Sequence, residues 1–464
     1  MHDTLALLRV SYHSARALSS RRIVFPLFSL SRFSPPILDK ARARCYHTSH
    51  QGKGVLTDSL ALLFGGDPML TPNLSYANLK ESYLFRRIAQ KTEAYLAAHP
   101  GTHLYRMGIG DVSLPLVPAV IEALHRAVED QSRQSSFHGY MPECGAPFLR
   151  EAVAEHYRGR GVMLAADEVF VSSGASDELG DLLDLFDRKN RALIMEPAYP
   201  AYVDANIMAG REIIHLSSGP DNHFLPLPNE TTDADLVYLC SPNNPTGAAY
   251  DREQLTRWVQ WANEHQALIL FDAAYEAFIE EDLPHSIFEI PGASTCAIEI
   301  CSLSKTAGFT GTRLGYTVIS KDLERCGLSL NAMWVRNRTT KTNGISYILQ
   351  RGGAAVFTEE GQRQVQDNIR VYKENARVLM KALDEAGIRY WGGRNAPYIW
   401  MQCPDGMGSW AFFDRLLNEI QVVGTPGEGF GACGEGFFRF STFGDPADTR
   451  EAAGRLMSLL KKTE

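Results

Sequence analysis

No run of the chain reaches the roughly 18 consecutive apolar residues that a membrane-crossing helix requires, although 45% of its 464 residues are hydrophobic. Those residues are therefore expected in an interior, and the length suits two compact units with extensions rather than one. An excess of positive charge is missing as well. Lys and Arg number 46 against 54 Asp and Glu, for a net charge of −8. That balance offers no electrostatic footprint for nucleic acid or for an anionic membrane surface. There is no Cys-x-x-Cys pair. Cys45, Cys144, Cys240, Cys296, Cys301, Cys326, Cys403 and Cys433 are scattered, and no histidines accompany them at zinc-ligand spacing. Such cysteines are expected as reduced thiols in a disulfide-poor compartment. Internal repeats and low-complexity tracts are also absent.

The first 50 residues lack acid. Arg9, Arg16, Arg21, Arg22, Arg32, Lys40, Arg42 and Arg44 face only Asp3 and Asp39, in a Ser-rich stretch. This is the composition of an organelle transit peptide rather than of a secretory signal. Arg44-Cys45-Tyr46 has the form of a mitochondrial processing site. The sequence thus suggests a targeting segment over 1–46 and a linker over 47–72, with delivery to an organelle matrix. A mitochondrion is favoured over a plastid.

From Asn73 onward the pattern becomes regular. Helical periodicity covers 83–98, 117–129, 177–185 and 252–265, and a short helix starts near Pro200. Short apolar runs at 169–171, 192–195, 235–240, 267–271, 297–301 and 316–319 alternate with them as strands. That alternation predicts an α/β layer with a mostly parallel sheet covered by helices. A long helix over 359–386 suits a connector to a second, smaller α/β unit with strands at 399–402 and 437–441. The expected division is an N-terminal arm over 73–107 belonging to the small domain, a large domain over 108–350 and a small domain over 351–464.

Chemistry-bearing residues collect where these strands end. Asp272 follows the run Ala267-Leu-Ile-Leu-Phe, where an ionised carboxylate is costly unless it meets a cation or donors. A protonated pyridine nitrogen is such a cation, and Tyr275 lies three residues further on. Capping of a following helix would also explain an Asp at this place. Lys305, in Ser302-Leu-Ser304-Lys305, ends another apolar strand, where desolvation can keep an amine nucleophilic. Ser302, Ser304 and Arg313 suit a phosphate dianion. Asn244 sits in the tight turn Ser241-Pro-Asn-Asn-Pro-Thr-Gly247, and Ser172-Ser-Gly-Ala-Ser176 joins a strand to a helix as a phosphate cradle would. Arg439 stands among the aromatics of Phe437-Phe-Arg-Phe440, where a guanidinium commonly serves a carboxylate, either a substrate's or an internal one.

In this order the residues resemble fold-type I aminotransferases of class I and II, and more narrowly the LL-diaminopimelate aminotransferases. The resemblance runs from about Asn73 to the C-terminus. It rests on Gly-Ile-Gly-Asp (108–111), His-Gly-Tyr (138–140), Tyr-Pro-Ala-Tyr-Val-Asp (199–204) and Cys-Ser-Pro-Asn-Asn-Pro-Thr-Gly (240–247). Leu-Phe-Asp-Ala-Ala-Tyr (270–275), Ser-Lys-Thr-Ala-Gly-Phe-Thr-Gly-Thr-Arg (304–313), Asn-Gly-Ile-Ser (343–346), Asn-Ala-Pro-Tyr (395–398) and Val-Val-Gly-Thr-Pro-Gly (422–427) add to it. The resemblance implies pyridoxal 5′-phosphate as cofactor, with Lys305 as its Schiff-base lysine and proton carrier. It implies that Asp272 pairs with the ring nitrogen, and that Tyr275 and Asn244 bind the phenolic oxygen. Ala175, Ser176, Ser302, Ser304 and Arg313 are implied as phosphate ligands, joined by Tyr140 from the second subunit of a homodimer. Tyr83, Gly110, Tyr199, Asn244, Asn343 and Arg439 match family substrate positions, and Glu143 could receive a distal ammonium group. The implied reaction takes the amino group of LL-2,6-diaminopimelate, on the route to lysine, to the 2-oxo acid 2-oxoglutarate.

The chain departs from the family in one loop. Gly174-Ala175-Ser176 stands where the family reads Gly-Ala-Lys or Gly-Ser-Lys, and Met141 and Cys144 replace the usual Gly and Gln around Pro-Glu. Losing that lysine removes a cation from the substrate pocket and opens a second reading, an aminotransferase for lysine or another long-chain donor. A catalytically silent protein on this fold is a third reading, opposed by the presence of both Lys305 and Asp272.

Overall fold

The apolar runs read from the sequence become one sheet in the computed structural model, which describes residues 70–79, 84–108 and 110–461. The targeting segment expected over 1–46 and nearly all of the linker over 47–72 lie outside the described residues. The sheet strands are β1 (Val169–Ser172), β2 (Ala192–Glu196), β3 (Ile213–Ser217), β4 (Leu236–Cys240), β5 (Leu268–Asp272), β6 (Ala297–Ser302) and β7 (Gly315–Ile319). Their order is β1-β7-β6-β5-β4-β2-β3. Only β7 runs against its neighbours, β1 and β6; the other pairs are parallel. Every residue of β4 to β7 is buried, as in a sheet covered on both faces.

The register aligns the functional ends. Cys240 pairs with Asp272, and Gly315 pairs with Ser302 on one side and Ser172 on the other. The carboxyl ends of β1, β4, β5 and β6 therefore share one edge, the edge at which open α/β sheets bind ligands. A Cβ at Gly315 would lie 2.6 Å from the Cys301 carbonyl oxygen and 3.0 Å from the Gly174 Cα. Glycine there lets the loop after β1 approach the loop after β6.

Helices named below are α1 (Leu84–Ala98), α2 (Pro118–Gln131), α3 (Ala175–Asp181), α4 (Pro200–Met208), α5 (Arg252–Glu264), α6 (Leu303–Ala307), α7 (Tyr347–Val356), α8 (Glu359–Glu385) and α9 (Pro446–Leu460). Proline opens α2, α4 and α9, where its missing N–H costs nothing. A capping box starts α5: Asp251 Oδ1 accepts from Gln254 N at 2.8 Å, and Asp251 N donates to Gln254 Oε1 at 3.0 Å.

A second, antiparallel sheet has the order β8-β9-β11-β10, built from β8 (Tyr390–Gly392), β9 (Tyr398–Gln402), β10 (Thr425–Pro426) and β11 (Phe437–Ser441). Asn73–Glu464 is one compact unit, yet its buried apolar side chains form two clusters. One is built on the seven-stranded sheet. The other gathers Trp400, Phe438 and Leu456 with Leu84, Ile88, Leu104 and Met107 from the 73–107 segment. Helix α8 serves both, with Val365, Ile369 and Tyr372 in the first and Leu379, Ala382 and Leu383 in the second. The boundary expected between 350 and 351 falls inside α7, whose Val356 belongs to the first cluster. Among the described residues no helix is long and apolar enough to cross a membrane.

Candidate active site

A cavity of about 370 Å³ opens at the carboxyl ends of the parallel strands. Ala175, Ser176, Tyr199, Asn244, Asp272, Tyr275, Ser302, Ser304, Lys305 and Arg313 all line it, so the segments at the ends of five strands converge on one space.

Asp272 ends β5 and is almost fully buried. Its Oδ2 accepts from the Tyr202 hydroxyl at 2.6 Å, and its Oδ1 accepts from Ala274 N at 3.0 Å. Burial pushes its pKa up, and these two donors oppose the shift. The bond from Ala274 is the local turn that a helix-capping Asp would also make, but the Tyr202 bond and the cavity in front of the carboxylate have no such explanation.

Lys305 sits in α6, the short helix that begins where β6 ends, with Ser302 Oγ capping it by accepting from Ser304 N at 3.1 Å. The Lys305 ammonium donates to the Gly110 carbonyl. Burial lowers its pKa to about 8, Asp111 works against that shift, and Arg313 and Arg439 add to it. An amine with that value is partly neutral at physiological pH and can act as a nucleophile.

Arg313 closes the other end of the cavity. Its backbone is left-handed at φ 65°, and its Nη1 donates to Ser304 Oγ at 3.2 Å. Gly174, at φ 120°, leaves room for it, since a Cβ there would lie 2.6 Å from Arg313 Nη2. One guanidinium, the Ser302 and Ser304 hydroxyls and the turn Gly174-Ala175-Ser176 thus surround a space suited to a dianion.

Arg439 lies on β11, flanked in register by Trp400 and Thr425, and is 1% exposed. Its Nη1 donates to Asn244 Oδ1 at 2.6 Å, and its Nη2 donates to the Gly108 carbonyl at 2.7 Å. Asn244 and Gly108 hold the planar fork in place. Gly247 permits the Asn244 turn to press on β9, for a Cβ there would be 2.6 Å from the Tyr398 carbonyl oxygen.

Three residues matched to the site from sequence lie elsewhere. Tyr140 is 88% exposed, Asn343 is exposed, and Glu143 is half-buried; none of them lines this chain's own cavity. They do share a neighbourhood. A Cβ at Gly344 would sit 2.6 Å from the Met141 carbonyl oxygen and 2.8 Å from that of Pro142, so the 140–143 loop packs on the 343–344 turn. Gly110 enters through its carbonyl, as described. Tyr83 lies outside the described residues.

The structure also adds residues that sequence reading passed over. Tyr202, one turn along α4 from Tyr199, carries the hydrogen bond to Asp272. Tyr398 meets Tyr275, hydroxyl to hydroxyl, at 2.9 Å. Asp111 lines the cavity beside Lys305. A larger space of about 530 Å³ lies against the alternate residues Ala273, Glu276 and Ala277. Its main charges, Arg160 and Glu276, already neutralise each other at 2.9 Å. The smaller cavity combines a lysine of lowered pKa with a buried carboxylate, a pairing that marks a candidate reactive site.

The profile of the family Aminotransferase class I and II matches residues 102–456. The chain belongs to this family. The LL-diaminopimelate aminotransferase of Agathobacter rectalis is 48% identical over 406 residues, covering 84% of this chain and all of that protein. The one from Parabacteroides distasonis is 45% identical over 407 residues, covering 84% of this chain and 99% of that protein. Among solved structures, L,L-diaminopimelate aminotransferase from Chlamydomonas reinhardtii superposes with a TM-score of 0.80 at 38% identity, covering 85% of this chain and 100% of that one. This aminotransferase has the fold-type I architecture.

Proposed function

We propose that this aminotransferase carries pyridoxal 5′-phosphate on Lys305 and moves an amino group from LL-2,6-diaminopimelate to 2-oxoglutarate, a step toward lysine. The observation that carries the reading is a buried carboxylate and a lysine of pKa about 8 facing one 370 Å³ space. The residues fit the cofactor. A ring nitrogen that stays protonated supplies the cation that buried Asp272 lacks. The Tyr275 hydroxyl and the Asn244 amide suit the phenolic oxygen, and Arg313, Ser302, Ser304 and the Ala175-Ser176 turn suit the phosphate.

Bound there, the cofactor supplies an electron sink for the carbanion formed at the donor's α-carbon. The protein's part follows from its own groups. Arg439, preset by Asn244 and Gly108, grips the α-carboxylate through two parallel N–H bonds. The Lys305 amine, once neutral, takes the α-proton; its contact with the Gly110 carbonyl keeps it at the cavity wall. Asp272, held in one orientation by the Tyr202 and Ala274 donors, would face the ring nitrogen, whose positive charge offsets the cost of burying the carboxylate.

The two bacterial relatives and the algal structure, all named for LL-diaminopimelate, support that donor. One observation favours a second reading. Among the described residues lining the cavity the cations are Lys305 and Arg313, which the cofactor reading uses, and Ser176 adds only a neutral side chain. Lysine or another long-chain donor without a distal carboxylate would fit such a pocket. We also propose a homodimer, in which the exposed Tyr140 loop, with Glu143 and the adjoining Asn343, completes the cavity of the other protomer. Residues 1–46 are proposed to direct the chain to an organelle matrix.

The test is an amino-donor screen with 2-oxoglutarate as acceptor, following glutamate. The expected outcome is that LL-2,6-diaminopimelate heads the ranking by kcat/KM. A ranking led by lysine moves the assignment to the second reading, and no glutamate from any donor removes both.

A further inference from the structure

The sequence motif Asn395-Ala-Pro-Tyr398 has no part in the scheme so far, yet its last residue touches both halves of the site. Tyr398 starts β9 and is 1% exposed. Its hydroxyl is 2.9 Å from that of Tyr275, and the two rings meet edge to face with centroids 5.1 Å apart. The Arg439 guanidinium carbon stands over the Tyr398 ring at 4.4 Å from its centroid. The same hydroxyl lies 2.6 Å from where a Gly110 Cβ would be, and Gly110 is the residue whose carbonyl takes the Lys305 bond.

We propose that Tyr398 is a positioning residue that couples Arg439 to Tyr275, so that the charge on the carboxylate-binding arginine sets how strongly Tyr275 donates to the phenolic oxygen of the cofactor. This rests on the cofactor reading given above.

A phenol has one proton to give and two lone pairs to receive with. If the Tyr275 proton goes to the ring oxygen, Tyr275 can only accept from Tyr398, which fixes the direction of the pair: Tyr398 donates, Tyr275 accepts and passes the polarisation on. Successive hydrogen bonds in a low-dielectric interior strengthen one another. A cation over the Tyr398 ring makes its hydroxyl a better donor. The groups that face Tyr398 act in both directions. Burial raises its pKa most, Arg439 and the Tyr275 bond lower it, and Tyr199 and Cys240 raise it. When a substrate carboxylate neutralises Arg439, the donor weakens and so does the chain.

The readout is the pH titration of the visible absorbance of the cofactor-loaded protein, taken with and without glutarate, an unreactive dicarboxylate. Donation to the phenolic oxygen favours the form that has lost its proton. Tyr398→Phe, which removes one oxygen and keeps the ring, is expected to raise the midpoint by roughly half a unit to one unit. Glutarate is expected to raise the midpoint in wild type and to raise it less in Tyr398→Phe. Tyr275→Phe should shift it further, and adding Tyr398→Phe to Tyr275→Phe should change nothing more, because the first acts only through the second. That cycle holds even if one variant is less stable, since it is read on whatever protein retains cofactor. Affinity of the apoprotein for pyridoxal 5′-phosphate, followed by tryptophan fluorescence, should fall in Tyr398→Phe by less than in Tyr275→Phe. Equal midpoints and equal glutarate shifts in wild type and Tyr398→Phe overturn the coupling and leave the cofactor reading intact. A wild-type protein with no visible absorbance after loading overturns both.

Discussion

Tyr202 and Asp272 meet through one hydrogen bond of 2.6 Å, the phenol donating to Oδ2 while Ala274 N holds Oδ1 at 3.0 Å. Both carboxylate oxygens are thus anchored from behind, and the group is presented to the cavity in one orientation. Asp272→Ala should leave phosphate anchoring in place and lower kcat on the order of 100-fold or more, as loss of a preorganised electrostatic contact does. Tyr202→Phe keeps the ring packing and removes only the donor, so kcat should fall about tenfold, with KM little changed. Steady-state kinetics with saturating acceptor distinguish the two. Near-wild-type turnover in Asp272→Ala would take the residue out of the mechanism.

Lys305 is the source of a pH prediction. Its pKa is lowered to about 8 chiefly by burial. Below that value the amine is mostly protonated and cannot attack an aldehyde. With the shift, about a tenth of the amines are neutral at pH 7, against roughly one in three thousand at the ordinary lysine value. The rate at which apoprotein captures pyridoxal 5′-phosphate should therefore rise about tenfold per pH unit below 8 and level off above it. A rate still climbing between pH 9 and 10 would mean that Lys305 is not shifted.

Gly174 supplies a structural prediction. Its φ of 120° and the 2.6 Å from a would-be Cβ to Arg313 Nη2 leave no room for a side chain. Gly174→Ala should displace the guanidinium and introduce strain of about 1–3 kcal/mol. Thermal unfolding should come earlier, and affinity should fall for pyridoxal 5′-phosphate but little for pyridoxal, which lacks the phosphate. Unchanged melting and phosphate dependence would show that the cradle adapts.

How much of this could be read in advance depended on local signals. The fully buried strands β4 and β5 are almost wholly apolar and are legible as strands, and β6 is legible despite the buried Glu299 at its centre. Strand β3 was not, because an edge position leaves Ile213, Ile214 and Leu216 only half-buried around polar His215. Helix α7 hides behind Gly352 and Gly353, which disfavour helix in isolation. Those glycines are required by packing: a Cβ would stand 2.7 Å from the Leu124 Cδ2 of α2 at the first and 2.3 Å from the Leu314 Cδ2 at the second. In the candidate site, Lys305, Asp272 and Arg439 announce themselves by charge in apolar surroundings. Tyr202 and Tyr398 do not, since a buried tyrosine reads as core until its hydroxyl partner is known.

Ser176 bears on the donor. A charge-assisted contact is worth roughly 1.5–3 kcal/mol against about 1 for a neutral one. Ser176→Lys should therefore raise the preference for LL-2,6-diaminopimelate over lysine by about tenfold. The wild type should show measurable activity on lysine. Comparing kcat/KM for both donors in both proteins checks this. A strict wild-type preference that the lysine leaves unchanged or worsens would show that Ser176 does not mark a shifted substrate.

The central claim is amino transfer through Lys305 in the cavity at the strand ends, and following labelled nitrogen tests it most directly. Wild type and Lys305→Ala, each loaded with pyridoxal 5′-phosphate, are incubated with ¹⁵N-labelled LL-2,6-diaminopimelate and 2-oxoglutarate, and glutamate is analysed by mass spectrometry. The account predicts that wild type places the label in glutamate over many turnovers and that Lys305→Ala places essentially none. Equal labelling by the two proteins, or none by wild type with this donor or with lysine in its place, would contradict it.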